Sequence, residues 1–298
     1  MKIISGLSNL KLAQKIANKL NLSIVDCEIS NFKNEEKRIW IKENLRSENI
    51  TLVQSFSSPV DSHIIETLLI TDALERMGAR HVNLLVPWMG YSLQDKVFRE
   101  GEPIAAKMVA NILSNTYIRR VFLLDLHNNS IPGFFSIPTH HLSAMDIFAD
   151  YIKENFDLKK AIIASPDFGG LKRARSFANK LGLDLINIDK HRDLKTGKVT
   201  AVGLHGKTKN KTVFLFDDVI MSGGTVVESA KILKKEGAKQ VHFLATHAVL
   251  CDNAIQKIQK SKIDSVVVTN SIYHKKINDR IKTLDVSPIF AEAIKQWL

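Results

Sequence analysis

The chain has 298 residues, 45% hydrophobic and 24% charged, a balance that supports buried cores and a length that suits two ordinary α/β domains. Its formal charge is +11, which suits nucleic acid, an anionic membrane surface or polyphosphate ligands, but the cations are scattered, with neither an aromatic-interleaved basic tract nor helix-turn-helix spacing, which speaks against nucleic acid. Two isolated cysteines, Cys27 and Cys251, exclude a disulfide framework and a zinc site, and with no apolar run near about 18 residues and no signal-peptide core the expectation is a cytoplasmic protein without membrane association.

Apolar runs of strand length alternate with amphipathic stretches of helix length. In chain order the first part predicts a helix near 8–20 with Ser8 as N-cap, a strand at 50–56, and a helix at 61–78 opened by Asp61 and Ser62. A strand at 81–87, a helix at 103–115 and a strand at 121–126 follow. After "PTHHLSAMDIFADY" leads into a further helix, strands are predicted at 161–165, 184–188, 212–216, 241–250 and 265–269. Helices are predicted at 169–181, 225–236 and 252–260. The strands are rich in Val, Ile and Leu without alternation, the pattern of strands buried on both faces of a parallel sheet. Strand alternating with helix implies right-handed βαβ units. A fresh strand series begins near 143–150, so two related α/β domains are expected, 1–145 and 146–298.

The stretch "TVFLFDDVIMSGGTVVESAKIL" (212–233) carries the strongest chemical signal. Two acids, Asp217 and Asp218, close an apolar strand; Ser222, Gly223, Gly224 and Thr225 lead into a helix. Glycines at a helix N-terminus allow an anion to approach backbone N–H groups, and the adjacent carboxylates suit sugar hydroxyls. An ordinary strand-to-helix turn uses the same residue types. Asp-Asp-x4-Gly-Gly-Thr between a strand and a helix favours a ribose-phosphate loop.

"FDDVIMSGGT" resembles the loop shared by type I phosphoribosyltransferases and phosphoribosyl-pyrophosphate synthetases (ribose-phosphate diphosphokinases). Other segments resemble the synthetases alone: "DLHNNSIPGFFSIPTHHLSA", "ASPDFGGLKRARSFANKLG", "GYSLQDKVFREGEPIAAKMVANIL", "VVVTNSI" and "IKTLDVSPIFAEAI". The similarity is collinear over nearly the whole chain. It implies two doubly wound parallel-sheet domains of type I phosphoribosyltransferase kind, the last ten or so residues packing back on the first domain. It also implies a homo-oligomer with the ATP site at a subunit interface.

The implied reaction transfers the pyrophosphoryl group of Mg-ATP to the C1 hydroxyl of ribose 5-phosphate, giving 5-phosphoribosyl 1-pyrophosphate and AMP. The resemblance assigns ribose 5-phosphate to Asp217, Asp218, Ser222, Gly223, Gly224 and Thr225, and a metal role with Mg²⁺ to His127 and Asp167. It assigns ATP to Phe32, Asn34, Glu36, Gln94, Asp95, Lys96 and Arg99, and transition-state stabilisation to Lys190 and Arg192 on a flap, "NIDKHRDLKTGKV". By itself that basic run reads as a solvated hairpin with a Thr-Gly turn, and His127 as a packed or surface histidine.

Two departures fall on the nucleotide side. Leu93 stands where the ATP segment usually has Arg, and "NFKNEEKR" replaces the Phe-x-Asp-Gly-Glu segment, with Asn34 for Asp and Glu35 for Gly. They keep open the alternative of a regulatory homologue with little or no activity; a phosphoribosyltransferase is a second alternative, against which the synthetase-like segments on both sides of the loop argue. "PGFF" and "PWMGY" read as core or interface aromatics, and Gly237 as the cap of a solvated helix end.

Overall fold

A computed structural model describes residues 1–192, 199–275 and 277–297, with the backbone alone described at 189–192 and 199–205. The chain divides into two compact units, one of residues 1–143, 271–273 and 285–298, the other of residues 144–270 and 274–284.

The first unit runs β1 (Lys2–Ser5), α1 (Leu10–Leu20), β2 (Cys27–Asn31), β3 (Lys37–Ile41), β4 (Asn49–Val53), α2 (Val60–Arg76), β5 (His81–Val86), α3 (Ala105–Ser114), β6 (Ile118–Leu124) and β7 (Thr139–Leu142). Among the described residues β1-β4-β5-β6-β7 form one sheet, parallel throughout, and β2 and β3 an antiparallel hairpin. Leu52, Leu84 and Val121 at its centre have no exposed surface, so these strands are apolar runs without alternation. Of the elements not predicted, the hairpin is charged and half-exposed and β7 is Thr-His-His-Leu, whereas β1 is buried but only four residues long.

The second unit holds α4 (Met145–Asn155), β8 (Ala161–Ser165), α5 (Leu171–Leu181), β9 (Leu185–Arg192), β10 (Val199–His205), β11 (Thr212–Ile220), α6 (Gly224–Lys235), β12 (Gln240–Ala248), α7 (Ala254–Lys260), β13 (Ser265–Thr269) and β14 (Ile281–Leu284). The last helix, α8 (Ser287–Lys295), belongs to the first unit and packs on α1. The sheet order is β10-β9-β8-β11-β12-β13-β14, with β10 antiparallel to β9 and the remaining pairs parallel. No described helix is long and apolar enough to cross a membrane.

Three local expectations need correction. Asn9, not Ser8, caps α1, accepting from the Leu12 N–H at 3.3 Å, because the Ser8 hydroxyl donates to Gln54 Oε1 at 2.7 Å. Helix α2 starts at Val60 without a side-chain cap, and Asp61 accepts from the Tyr91 hydroxyl at 2.5 Å. Strand β11 continues past Phe216 to Ile220, so Asp217 and Asp218 lie within it rather than after it. The expected Gly237 cap is present: Gly237 has φ 80°, its N–H donates to the Lys234 carbonyl, and the Ala238 N–H donates to that of Leu233, a Schellman closure of α6.

One buried histidine couples this fold to pH. His242 on β12 meets Ser265 Oγ through Nδ1 at 2.7 Å, stacks on Phe214 and has no partner on Nε2. Burial, the largest influence, lowers its pKa to about 4. The folded chain therefore stays neutral at His242 while the unfolded chain takes a proton near pH 6.5. Its contribution is complete above pH 6.5 and lost as pH falls toward 4, by about 2 kcal/mol at pH 5. The thermal midpoint should fall less between pH 7 and 5 in His242→Gln than in the wild type; equal falls would place the pH dependence elsewhere.

Candidate active site

In the second unit the chain leaves β8 through α5 toward β9, and leaves β11 through α6 toward β12. The strand order thus reverses between β8 and β11, and open α/β sheets bind ligands at the carboxyl ends of strands beside such a reversal. Asp167 follows β8. Pairing of β11 with β8 stops at Leu215 and Ala164, whereas pairing with β12 continues to Ile220 and Ala248. Asp217 and Asp218 occupy the stretch of β11 that has lost its β8 neighbour.

The two acids share one cation. Arg173, in the first turn of α5, places Nη1 2.8 Å from Asp217 Oδ1 and 2.8 Å from Asp218 Oδ1. Asp217 Oδ1 also accepts the Asp218 N–H at 2.9 Å. Burial first, then the charge of Asp218, pushes the Asp217 carboxyl well above the usual carboxylate range; Arg173 pulls the other way and Asp167 adds to the rise. Asp167 is near: a methyl group at Gly170 would stand 3.7 Å from both Asp167 Oδ1 and Asp217 Oδ1. Asp167 Oδ1 accepts the Gly170 N–H at 2.9 Å and so steadies the start of α5.

Beyond the acids the chain turns at Gly223, φ 73°, against α7. A Cβ there would make ordinary contact with Ala254 at 3.4 Å, so it is the positive φ that disfavours a side chain and favours glycine. Among the described residues no side chain caps α6, whose first turn carries no acid, and Gly224 and Thr225 are exposed. That is an uncapped helix N-terminus with its partial positive charge turned outward. Lys257 on α7 donates to the Ser222 carbonyl at 3.2 Å and pins the outer side of the turn.

The first unit carries the remaining candidates. Phe32, Asn34 and Glu36 form the β2–β3 turn: the Phe32 N–H donates to the Glu36 carbonyl at 2.8 Å, and Asn34 Oδ1 accepts the Glu36 N–H at 3.4 Å. Glu35, at the position where the resembling segment has Gly, has φ 70°, the left-handed conformation that glycine adopts without strain. Phe32 is 52% exposed at this tip, a large apolar ring held out to solvent. Gln94, Lys96 and Arg99 are exposed on the loop before α3, and Leu93 is half-buried. Asp95 accepts from Asn128 Nδ2 at 2.6 Å, which brings the 94–99 segment to the neighbour of His127. The exit of β6 toward His127 is set by Asp125, φ 37°, and by the Leu126 N–H donating to His141 Nε2 at 2.9 Å.

Lys190 and Arg192 belong to the end of β9, and their side chains lie outside the described residues. Among those residues no three His, Cys, Asp or Glu side chains gather for a metal ion. Sequence reasoning missed Arg173, Asn128 and Lys257. "LKRAR" offers several cations on one amphipathic helix, and nothing in that spacing says which one folds back onto acids 44 and 45 residues away.

Residues 1–116 match the family described as the N-terminal domain of ribose phosphate pyrophosphokinase, and residues 191–297 match the phosphoribosyl synthetase-associated domain. Curated ribose-phosphate pyrophosphokinases are similar over their length: 42% identical for Bacillus caldolyticus (99% of this chain, 93% of the relative) and 41% for Fusobacterium nucleatum (99% and 94%). That of Helicobacter hepaticus is 39% identical over 99% of this chain and 95% of the relative. The crystal structure of phosphoribosylpyrophosphate synthetase from Mycobacterium smegmatis superposes with a TM-score of 0.93 at 31% identity, covering 99% of this chain and 98% of that one.

Proposed function

The chain belongs to the ribose-phosphate pyrophosphokinase family, and on that premise we propose that it makes 5-phosphoribosyl 1-pyrophosphate and AMP from ribose 5-phosphate and ATP. The ribose C1 hydroxyl oxygen attacks the β-phosphorus of ATP and gives up its proton to solvent, a new O–P bond forms, and the bond from the β-phosphorus to the oxygen it shares with the α-phosphorus breaks as AMP leaves. The observation that carries this reading is the pair of acids beside an uncapped helix N-terminus at the sheet reversal of the second unit. The start of α6, with Ser222, Gly223, Gly224 and Thr225, takes the 5-phosphate, and Asp217 and Asp218 accept from the ring hydroxyls. No covalent nucleophile is needed, because positioning and charge neutralisation are what phosphoryl transfer asks of a protein.

ATP is read onto Gln94, Asp95, Lys96 and Arg99, with Phe32, Asn34 and Glu36 serving the nucleotide of a neighbouring subunit. Their exposure supports that reading, since Phe32 is held outward on a turn whose hydrogen bonds close within itself. Mg²⁺ supplies charge neutralisation on the phosphate oxygens. His127 and Asp167 are its candidate protein ligands; Asp167 keeps Oδ2, an oxygen donor of the kind Mg²⁺ prefers, after Oδ1 takes the Gly170 N–H. A cation that keeps waters and substrate phosphates in its shell needs no full protein cage. We assign the work to the cytoplasm, where ATP is supplied and the free thiols of Cys27 and Cys251 stay reduced.

Purified protein with Mg²⁺, ATP and ribose 5-phosphate should release AMP in step with the phosphoribosyl product. No AMP, with nucleotide still bound, would leave a regulatory homologue; pyrophosphate-dependent exchange with a nucleobase would leave a phosphoribosyltransferase. Leu93 tests the nucleotide half. It is half-buried, so an arginine there can send its guanidinium outward along the loop. Leu93→Arg should lower the KM for ATP by severalfold, about one charged hydrogen bond, and leave the KM for ribose 5-phosphate unchanged. A fall in thermal midpoint without gain in ATP affinity would mean that Leu93 is a packing residue.

A further inference from the structure

We propose that Arg173 is a positioning residue for ribose, holding the Asp217 and Asp218 carboxylates side by side so that both accept from the sugar hydroxyls. This rests on the reading of 217–225 as the ribose-phosphate loop and adds a residue that the loop itself does not contain.

The geometry makes the demand plain. Consecutive residues of a strand turn to opposite faces, yet the carboxylates of Asp217 and Asp218 meet at one guanidinium nitrogen, 2.8 Å from each. Two adjacent anions at this separation repel, and Asp218 is only 3% exposed, so water screens them little. Without a shared cation they would swing apart or draw other partners, and the acceptor pair would be lost. Arg173 can act there because α5 begins where β8 leaves the sheet, beside the part of β11 that β8 no longer covers. The contact is made through Oδ1 of each acid, and Asp217 Oδ1 also takes the Asp218 N–H. The Arg173 side chain is 22% exposed and that of Asp217 16%, so the cluster reaches solvent rather than being sealed in the core.

A buried ion pair of purely structural value would affect both substrates and the fold together, so the readout must concern the sugar. The experiment compares wild type, Arg173→Met and Arg173→Lys by calorimetry with ribose 5-phosphate, 2-deoxyribose 5-phosphate and ATP, with thermal midpoints alongside. Arg173→Met should weaken ribose 5-phosphate by about 10–100-fold, the size of one or two hydrogen bonds to a charged acceptor, and change ATP less than twofold. The preference for ribose 5-phosphate over its 2-deoxy analogue should shrink by about tenfold, since a site built around a hydroxyl loses its discrimination when its acceptors are displaced. Arg173→Lys should recover most of both, because a single nitrogen makes both contacts. Should Arg173→Met not fold, Arg173→Gln carries the same comparison.

Asp218→Asn separates this idea from the one beneath it. If Asp218→Asn weakens ribose 5-phosphate but the Arg173 variants do not, the loop stands and the role of Arg173 falls. If Asp218→Asn leaves binding unchanged, the loop reading falls first. An unchanged ribose-to-deoxyribose ratio in Arg173→Met, or equal losses for ATP and ribose 5-phosphate, would make Arg173 a structural ion pair and overturn the proposal.

Discussion

Replacing Lys190 or Arg192 with alanine should lower kcat by about 10²–10³-fold while changing the Kd for ATP little, the ordinary cost of removing one charge aimed at a transition state. The reason lies in the chemistry proposed for the chain. As the pyrophosphoryl group passes to the C1 oxygen, negative charge spreads over phosphate oxygens that the ground state holds differently, and a cation placed for the later distribution acts mainly at the barrier. Such an interaction lowers kcat and kcat/KM together, whereas simple docking raises KM alone. Strand β9, paired with β10 at the edge of the second sheet, gives these two residues a place at the rim of the unit that also holds Asp217 and Asp218. Kinetics of both variants, with ATP binding measured separately, decide between the two. A variant with near-normal kcat and a raised KM would make Lys190 and Arg192 docking residues.

Asp218→Ala should raise the KM for ribose 5-phosphate by about 10–100-fold, or abolish turnover, with the thermal midpoint close to that of the wild type. The first part follows from losing a charged acceptor for a sugar hydroxyl, about 1.5–3 kcal/mol. The second follows from Arg173. Removing Asp218 leaves the guanidinium paired with Asp217 at 2.8 Å and relieves the repulsion between neighbouring acids, so no buried charge is stranded. Calorimetry with ribose 5-phosphate and a thermal melt on this one variant suffice. Unchanged binding would remove the loop from the substrate site, and a collapse of the midpoint would make Asp218 a structural residue first.

Much of the architecture was legible because burial on two faces leaves a one-dimensional trace. Strands β8 and β13 coincide with their predicted bounds, and the strands of the first unit's sheet centre lie within a few residues of theirs. The hairpin β2–β3, with "NFKNEEKR" at its turn, and the Thr-His-His-Leu strand β7 left no such trace, since half-exposed polar strands look like loops until a partner is known. Asp217 and Asp218 were identifiable as acids at a strand end, yet β11 runs through them, because its pairing with β12 outlasts its apolar run.

The chemistry divides in the same way. The order of residue types alone determined that an acid pair precedes a glycine turn and a helix, and that collinear segments resemble one enzyme family, for motif spacing is a property of the chain. Which cation neutralises the acids, which glycine turns beside Ala254, and which asparagine holds Asp95 were decided only by the fold. Those contacts join residues about 30–45 positions apart, and strand order, not spacing, brings them within hydrogen-bonding distance.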